Sequence, residues 1–158
     1  MSTHKFDLHL YLHFAHLLEE RLRTRLAPFD IHSRQARILG LLGIMGQASQ
    51  AKLARELGCT AASMSTMTSR LLEADLIKRD VDRKDQRSNV LRLTRFGNSL
   101  LKQIHQEWQA IDQECTDVIG EKNIAKFAES TLQLRNAFGG STPGEESSNN
   151  DTEASSES

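Results

Sequence analysis

Asp82-Arg83-Lys84-Asp85-Gln86-Arg87-Ser88 lies between two short strand-like runs, Ile77 to Val81 and Asn89 to Thr94. Two such runs around a polar turn read as a β-hairpin. Its tip carries Arg83, Lys84 and Arg87. Three cations at one turn repel each other and add nothing to a core, so they make physical sense facing a polyanion. Upstream, Ser49 is placed to cap a short helix from Gln50 to Leu57, with Leu53, Ala54 and Leu57 facing inward and Gly58 stopping it. Thr60 caps the next helix, from Ala61 to about Asp75. The short connection around Gly58-Cys59-Thr60 matches a helix-turn-helix. A helix-turn-helix followed by a basic hairpin reads as a winged DNA-binding domain.

The helix after Thr60 divides into two faces. Met64, Met67 and Leu71 should pack inward, and Ala62, Ser65, Thr66 and Ser69 share the opposite face at i, i+3, i+4 and i+7. Small residues let a helix backbone enter the major groove closely, and hydroxyls bond either base edges or phosphates. Arg70 is the one cation near that face, so affinity should come mainly from the hairpin and from phosphate contacts. The hairpin tip could reach the minor groove, where a cation meets concentrated negative potential. Arg87 is the residue best suited to that, with Asp85 two positions back able to orient its guanidinium. The blander reading of those two is a local turn ion pair, worth less than about 1 kcal/mol.

Working outward, Phe6 to Leu26 reads as a helix with Phe6, Leu10, Phe14, Leu17, Leu18 and Leu22 on one broad face, ending near Pro28. A second helix fits from Ser33 or Arg34 to about Met45, with Ile38, Leu39, Leu41 and Leu42 apolar; Gly43 and Gly46 mark its exit. Beyond the hairpin, Thr94 opens a long helix. Leu101, Ile104, Trp108, Ile111, Cys115 and Val118 recur along it as a heptad seam, the pattern of a helix packed along another helix. After Gly120, Ile124, Phe127, Thr131, Leu134 and Phe138 repeat in a last helix. The expected fold is mainly α with a small β-hairpin wing. Residues 1–32 form an N-terminal helix, 33–95 the winged helix-turn-helix, 96–138 two C-terminal helices, and 139–158 an unfolded acidic tail.

The net charge of −1 on 158 residues is segregated. Residues 139–158 hold five acids and no Lys or Arg, which leaves 20 basic and 16 acidic residues, or +4, for residues 1–138. Lys78–Arg95 alone holds seven basic residues against three aspartates. No stretch approaches 18 consecutive apolar residues, so no membrane span is expected, and the first residues lack the pattern of a cleaved leader. Two cysteines, Cys59 and Cys115, make no disulfide framework and suit a cytoplasmic protein. A phosphate-cradling glycine loop, a C-x-x-C pair and an H-E-x-x-H motif are all lacking; nothing supports an enzyme, and no cofactor is expected.

These motifs resemble the MarR family of bacterial transcriptional regulators. Asp82 to Arg87, followed by Val90-Leu91-Arg92-Leu93-Thr94-Arg95-Phe96-Gly97, is similar to the family's D-x-R-D-x-R wing and L-T-x-x-G helix start. Ser49-Gln50-Ala51-Lys52-Leu53-Ala54 resembles its T-Q-x-x-L-A opening. Thr60, Ser63, Ser65, Arg70 and Leu71 fit its recognition helix, and Leu76-Ile77-Lys78-Arg79 the strand after it. Lys84 replaces the first wing arginine, Thr66 stands where an arginine is common, and Asp75 replaces a frequent glycine. The resemblance implies a homodimer built from the first helix and the last two, reading a pseudo-palindrome in double-stranded DNA. It also implies repression relieved by a small-molecule effector in a crevice whose helices carry His13, His16, Arg37 and Trp108. The expected DNA-binding set is Ser49, Thr60, Ala62, Ser63, Ser65, Thr66, Ser69, Arg70, Arg83, Lys84, Asp85 and Arg87. The alternative, a winged-helix protein-interaction module without DNA binding, predicts an apolar recognition helix and no clustered wing cations, the reverse of this sequence.

Two other signals compete with a small molecule. His9, His13 and His16 with Glu20 offer four candidate metal ligands along one helix face, although helical spacing produces such alignments by chance. Cys59, in the turn before a helix N-terminus, is a candidate for oxidation, and Cys115 sits at an apolar seam position.

Overall fold

The computed structural model describes residues 7–82 and 84–143. Phe6, Arg83 at the hairpin tip and residues 144–158, most of the expected acidic tail, lie outside the described residues. The chain runs α1 (Leu8–Leu26), a 3-10 turn (Ala27–Phe29), α2 (Ser33–Met45), α3 (Gln50–Leu57), α4 (Ala61–Glu73), β1 (Ile77–Val81), β2 (Asn89–Leu93), α5 (Arg95–Ile119) and α6 (Glu121–Ala137). This is the mainly helical fold with a small antiparallel hairpin that the sequence predicts.

Local chemistry sets the boundaries. Ser49 accepts a hydrogen bond from the Lys52 amide, Thr60 from Ser63 and Thr94 from Gly97, so a hydroxyl opens α3, α4 and α5. Gly58 ends α3 at φ +60°, a left-handed conformation that glycine adopts without strain. α1 stops at Leu26 because Pro28 cannot continue it.

α2 is the hub of the core. Its Ile38, Leu39 and Leu42 meet Leu26 of α1, Leu53 of α3, Met64 and Leu71 of α4, Ile77 and Leu91 of the hairpin, and Leu101 and Ile104 of α5. The hairpin pairs Ile77 with Leu93 through Val81 with Asn89. An isolated bridge adds Ala48, which exchanges both backbone hydrogen bonds with Leu91 at 2.8 and 3.2 Å. β2 thereby has a backbone partner on each side at Leu91, and adjacent Val90 and Leu91 are both buried. A one-pair strand leaves no periodicity in the sequence, so this edge is not readable there.

The outer helices depart from expectation. On α1 only Leu26 is fully buried, while Leu10, Phe14 and Leu17 are exposed. The α5 seam is covered at Leu101 and Ile104, half-covered at Trp108, Ile111 and Cys115, and open at Val118, 83% exposed. α6 buries nothing, and Phe138 is 86% exposed. Both patterns are helical in period, but one chain holds too few helices to cover them.

Candidate nucleic-acid interface

α4 is held as the second helix of the helix-turn-helix by Met64, Thr68 and Leu71, all buried. Thr68 joins this inner face unexpectedly. Its hydroxyl lies 2.9 Å from the Met64 carbonyl and 3.3 Å from Gln50 Oε1, tying α4 to the first residue of α3. The outer face presents Ala62, Ser63, Ser65, Thr66, Ser69 and Arg70, all exposed.

Their hydroxyls are not equivalent. Thr60 both caps α4 and donates to Ser63 Oγ at 3.1 Å. Thr66 donates to the Ala62 carbonyl at 3.2 Å, which satisfies its donor. Among the described residues no hydrogen bond engages the Ser65 or Ser69 side chain. Ser49 spends its acceptor on the Lys52 amide at 3.1 Å. Ser49 and Thr60 therefore shape helix entrances, while Ser65 and Ser69 carry the free hydroxyls.

At the wing, Lys84 and Arg87 are exposed. Asp85 does not orient the Arg87 guanidinium as the spacing suggested. Its Oδ1 accepts from the Arg87 backbone amide at 3.1 Å and its Oδ2 from the Ser88 hydroxyl at 2.8 Å. An aspartate two residues before an amide closes its own turn in this way, so Asp85 shapes the loop and leaves Arg87 outside any ion pair among the described residues.

The wing base holds a polar network that the sequence reading missed. Gln47 Nε2 donates to Asp82 Oδ1 at 2.9 Å, and its Oε1 accepts from Arg92 Nη2. Asp82 Oδ1 also accepts from the Lys84 amide at 2.9 Å. Arg92 Nε lies 3.1 Å from Asp80 Oδ2, a charge contact without hydrogen-bond alignment. The Lys84 amide, helped by the Gln47 side chain, holds the Asp82 carboxyl below its ordinary value despite some desolvation. The D-x-R-D spelling hints at Asp82, whereas nothing local points to Gln47.

Away from this surface, Arg25 of α1 pairs with Glu107, at 3.0 Å, and with Glu114 of α5; Arg21 reaches Glu114 at 2.8 Å. The hydrogen bond from Arg25 lowers the Glu114 pKa. Beside this cluster a groove of about 980 Å³ opens between α1, α5 and α6, with Phe14, Leu17, Ile111, Cys115, Ile124 and Phe127 in its walls. Cys115, at its apolar seam position, is half-buried in the groove wall, and Cys59 packs against the core. Trp108 Nε1 is buried with no hydrogen-bond partner among the described residues.

The metal candidates do not assemble. His9 and His13 stack at 6.1 Å between ring centroids, and Glu20 is bonded to Arg23 at 2.6 Å. Among the described residues no group of three His, Cys, Asp or Glu is placed to hold a metal ion.

Comparisons agree with this geometry. The model of the MarR family matches residues 31–89, from the loop before α2 to the first residue of β2. Wild-type MarR of E. coli in its apo form superposes with a TM-score of 0.71 at 21% identity, over 84% of this chain and 98% of that one. A mutant E. coli MarR complexed with operator DNA gives 0.71 at 21%, over 84% and 99%. An S. aureus MepR–DNA complex gives 0.73 at 22%, over 85% and 99%. The sequence matches no curated protein. Helix-turn-helix, most of the hairpin and the family match coincide on one segment, and over that winged helix-turn-helix the chain is similar to the MarR family.

Proposed function

We propose that the protein is a homodimeric, cytoplasmic transcriptional repressor that binds a pseudo-palindromic operator. The observation that carries the reading is the exposed face of α4, where Ala62, Ser65, Thr66 and Ser69 stand free of the core while Thr68 anchors the helix from behind. Such a face suits close approach to a major groove. Lys84 and Arg87, with Arg83, supply phosphate or minor-groove contacts from the wing. Similar folds complexed with DNA support this assignment.

Dimerisation is supported by apolar surface that one chain leaves uncovered. Leu10, Tyr11 and Phe14 of α1 and Phe127, Leu134 and Phe138 in and after α6 are exposed. Contiguous apolar surface of this kind marks an association site. Residues 1–32 and 96–138 would make that interface, leaving residues 33–95 to bind DNA. Two α4 helices would then read half-sites about one helical turn apart. No helix among the described residues is long and apolar enough to cross a membrane.

Release would follow from a small molecule or from oxidation. The small-molecule route is the one that the family resemblance implies. Oxidation at Cys59 is the second route, since a larger sulfur species there would disturb the turn that enters α4.

Selection of genomic duplex fragments by the purified protein, followed by salt-titrated anisotropy and sedimentation, tests the whole reading. A dimer whose affinity falls steeply with salt is expected. A monomer, or no duplex bound even in dilute buffer, would overturn it.

A further inference from the structure

Gln47 lies outside every helix and strand, yet its single amide group touches both sides of the wing. Nε2 donates to Asp82, one residue past the end of β1, and Oε1 accepts from Arg92 within β2. The next residue, Ala48, is hydrogen-bonded both ways to Leu91, and the one after, Ser49, caps α3. Three consecutive residues therefore fasten the hairpin to the entrance of the helix-turn-helix.

We propose that Gln47 is the positioning residue of the wing: it fixes the angle of the hairpin tip relative to the helix-turn-helix, and so the register in which the wing cations meet the duplex. The inference rests on the DNA-binding reading for its consequence, though not for its geometry. A two-stranded hairpin is marginally stable by itself and free to swing. Past Val81 and Asn89 the ladder ends, and the tip is held by the Asp82 amide on the Ser88 carbonyl at 2.8 Å and by the Asp82 carboxylate on the Lys84 amide. Among the described residues, Gln47 is the side chain outside the hairpin that bonds this carboxylate. Asp82 is thus shared between the turn and the scaffold, and Arg92, braced by Asp80, holds the other end of the same amide. A neutral amide suits the position because it must donate to a carboxylate and accept from a guanidinium at once.

The test uses the full chain with Gln47→Leu, which keeps the size and removes both hydrogen bonds. In the free protein, amide hydrogen exchange should quicken about tenfold at Asp82, Lys84 and Ser88, as expected for losing hydrogen bonds to charged groups. Amides within α2 should serve as an unchanged reference. On a selected duplex, affinity should fall about tenfold and the salt slope should shrink by about one phosphate contact. Gln47→Glu sets a second carboxylate against Asp82 and should behave like Gln47→Leu. Adding Asp82→Asn restores an amide–carboxylate hydrogen bond with donor and acceptor exchanged, and should recover both readouts. Unchanged wing exchange in Gln47→Leu, or a loosened wing with unchanged DNA affinity and salt slope, overturns the proposal. So does an equal loss in Gln47→Glu and in the double variant. If the unsubstituted protein ignores DNA, the functional reading falls while the exchange measurement still decides the clamp.

Discussion

Gly97→Ala should damage this fold more than a one-carbon change ordinarily does. A Cβ at residue 97 would lie 1.9 Å from the Leu76 carbonyl oxygen and 2.9 Å from its carbon. Real Cβ atoms essentially never come within 3.0 Å of such a neighbour, so the start of α5 would have to retreat from Leu76 by at least 1.1 Å. The joint between α4 and α5 is built there. Thr94 N donates to the same Leu76 oxygen at 3.1 Å, Thr94 Oγ1 donates to the Asp75 carbonyl at 2.6 Å, and Gly97 N donates back to Thr94 Oγ1 at 2.9 Å. Overpacking costs about 1–3 kcal/mol, and each weakened hydrogen bond about 1 kcal/mol. Better helix propensity returns at most about 1 kcal/mol. The net loss is about 2–4 kcal/mol, or roughly 10 °C in melting temperature for a domain of this size. Urea and thermal unfolding at fixed protein concentration read it directly, since the proposed dimerisation would make the midpoint concentration-dependent. Gly43→Ala is the internal control: its Cβ meets the Leu101 Cδ2 at 2.6 Å, the movable end of a side chain, and should cost under about 1 kcal/mol. A Gly97→Ala protein as stable as Gly43→Ala would refute the reasoning.

Arg87→Ala should weaken binding to all duplexes alike and reduce the salt slope by about one, because its cation reads phosphate or groove potential rather than a base; affinity at several salt concentrations checks this. Phe127→Glu, on the α6 wall of the groove, should shift sedimentation from the proposed dimer to monomer by placing a charge in the proposed pairing surface. Asp75 holds φ +56°, so Asp75→Gly should raise stability by up to about 1 kcal/mol in urea unfolding, offset in part by the added freedom of the unfolded chain. Asp82 and Glu114 have folded pKa values below their ordinary 3.8 and 4.5. Their contribution is therefore present above those values and lost as pH falls through the lowered ones, so stability should decline below about pH 4. A Glu114→Gln protein should show a shallower acid limb in thermal melts.

What the sequence settled by itself is what neighbouring residues decide among themselves. Ser49, Thr60, Thr94 and Gly58 act within four residues of their own position, so the helices they open or end were legible from residue type and spacing. The same holds for the hairpin, whose runs flank an unmistakably polar turn. Short range also misled: Asp85 and Arg87 carry opposite charges two residues apart, but the Arg87 backbone amide and the Ser88 hydroxyl took the carboxylate. Tertiary structure decided whatever joins distant segments. Gln47 meets Asp82 across 35 residues and Arg92 across 45, and Ala48 finds Leu91 with no pattern to announce it. It also decided which helical stripes are covered. Periodicity says that a face is apolar, and only packing says whether this chain or another one buries it. For α1 and α6 the folded chain leaves that face in water, because burial depends on which surfaces meet in space and not on the order of residues along one helix.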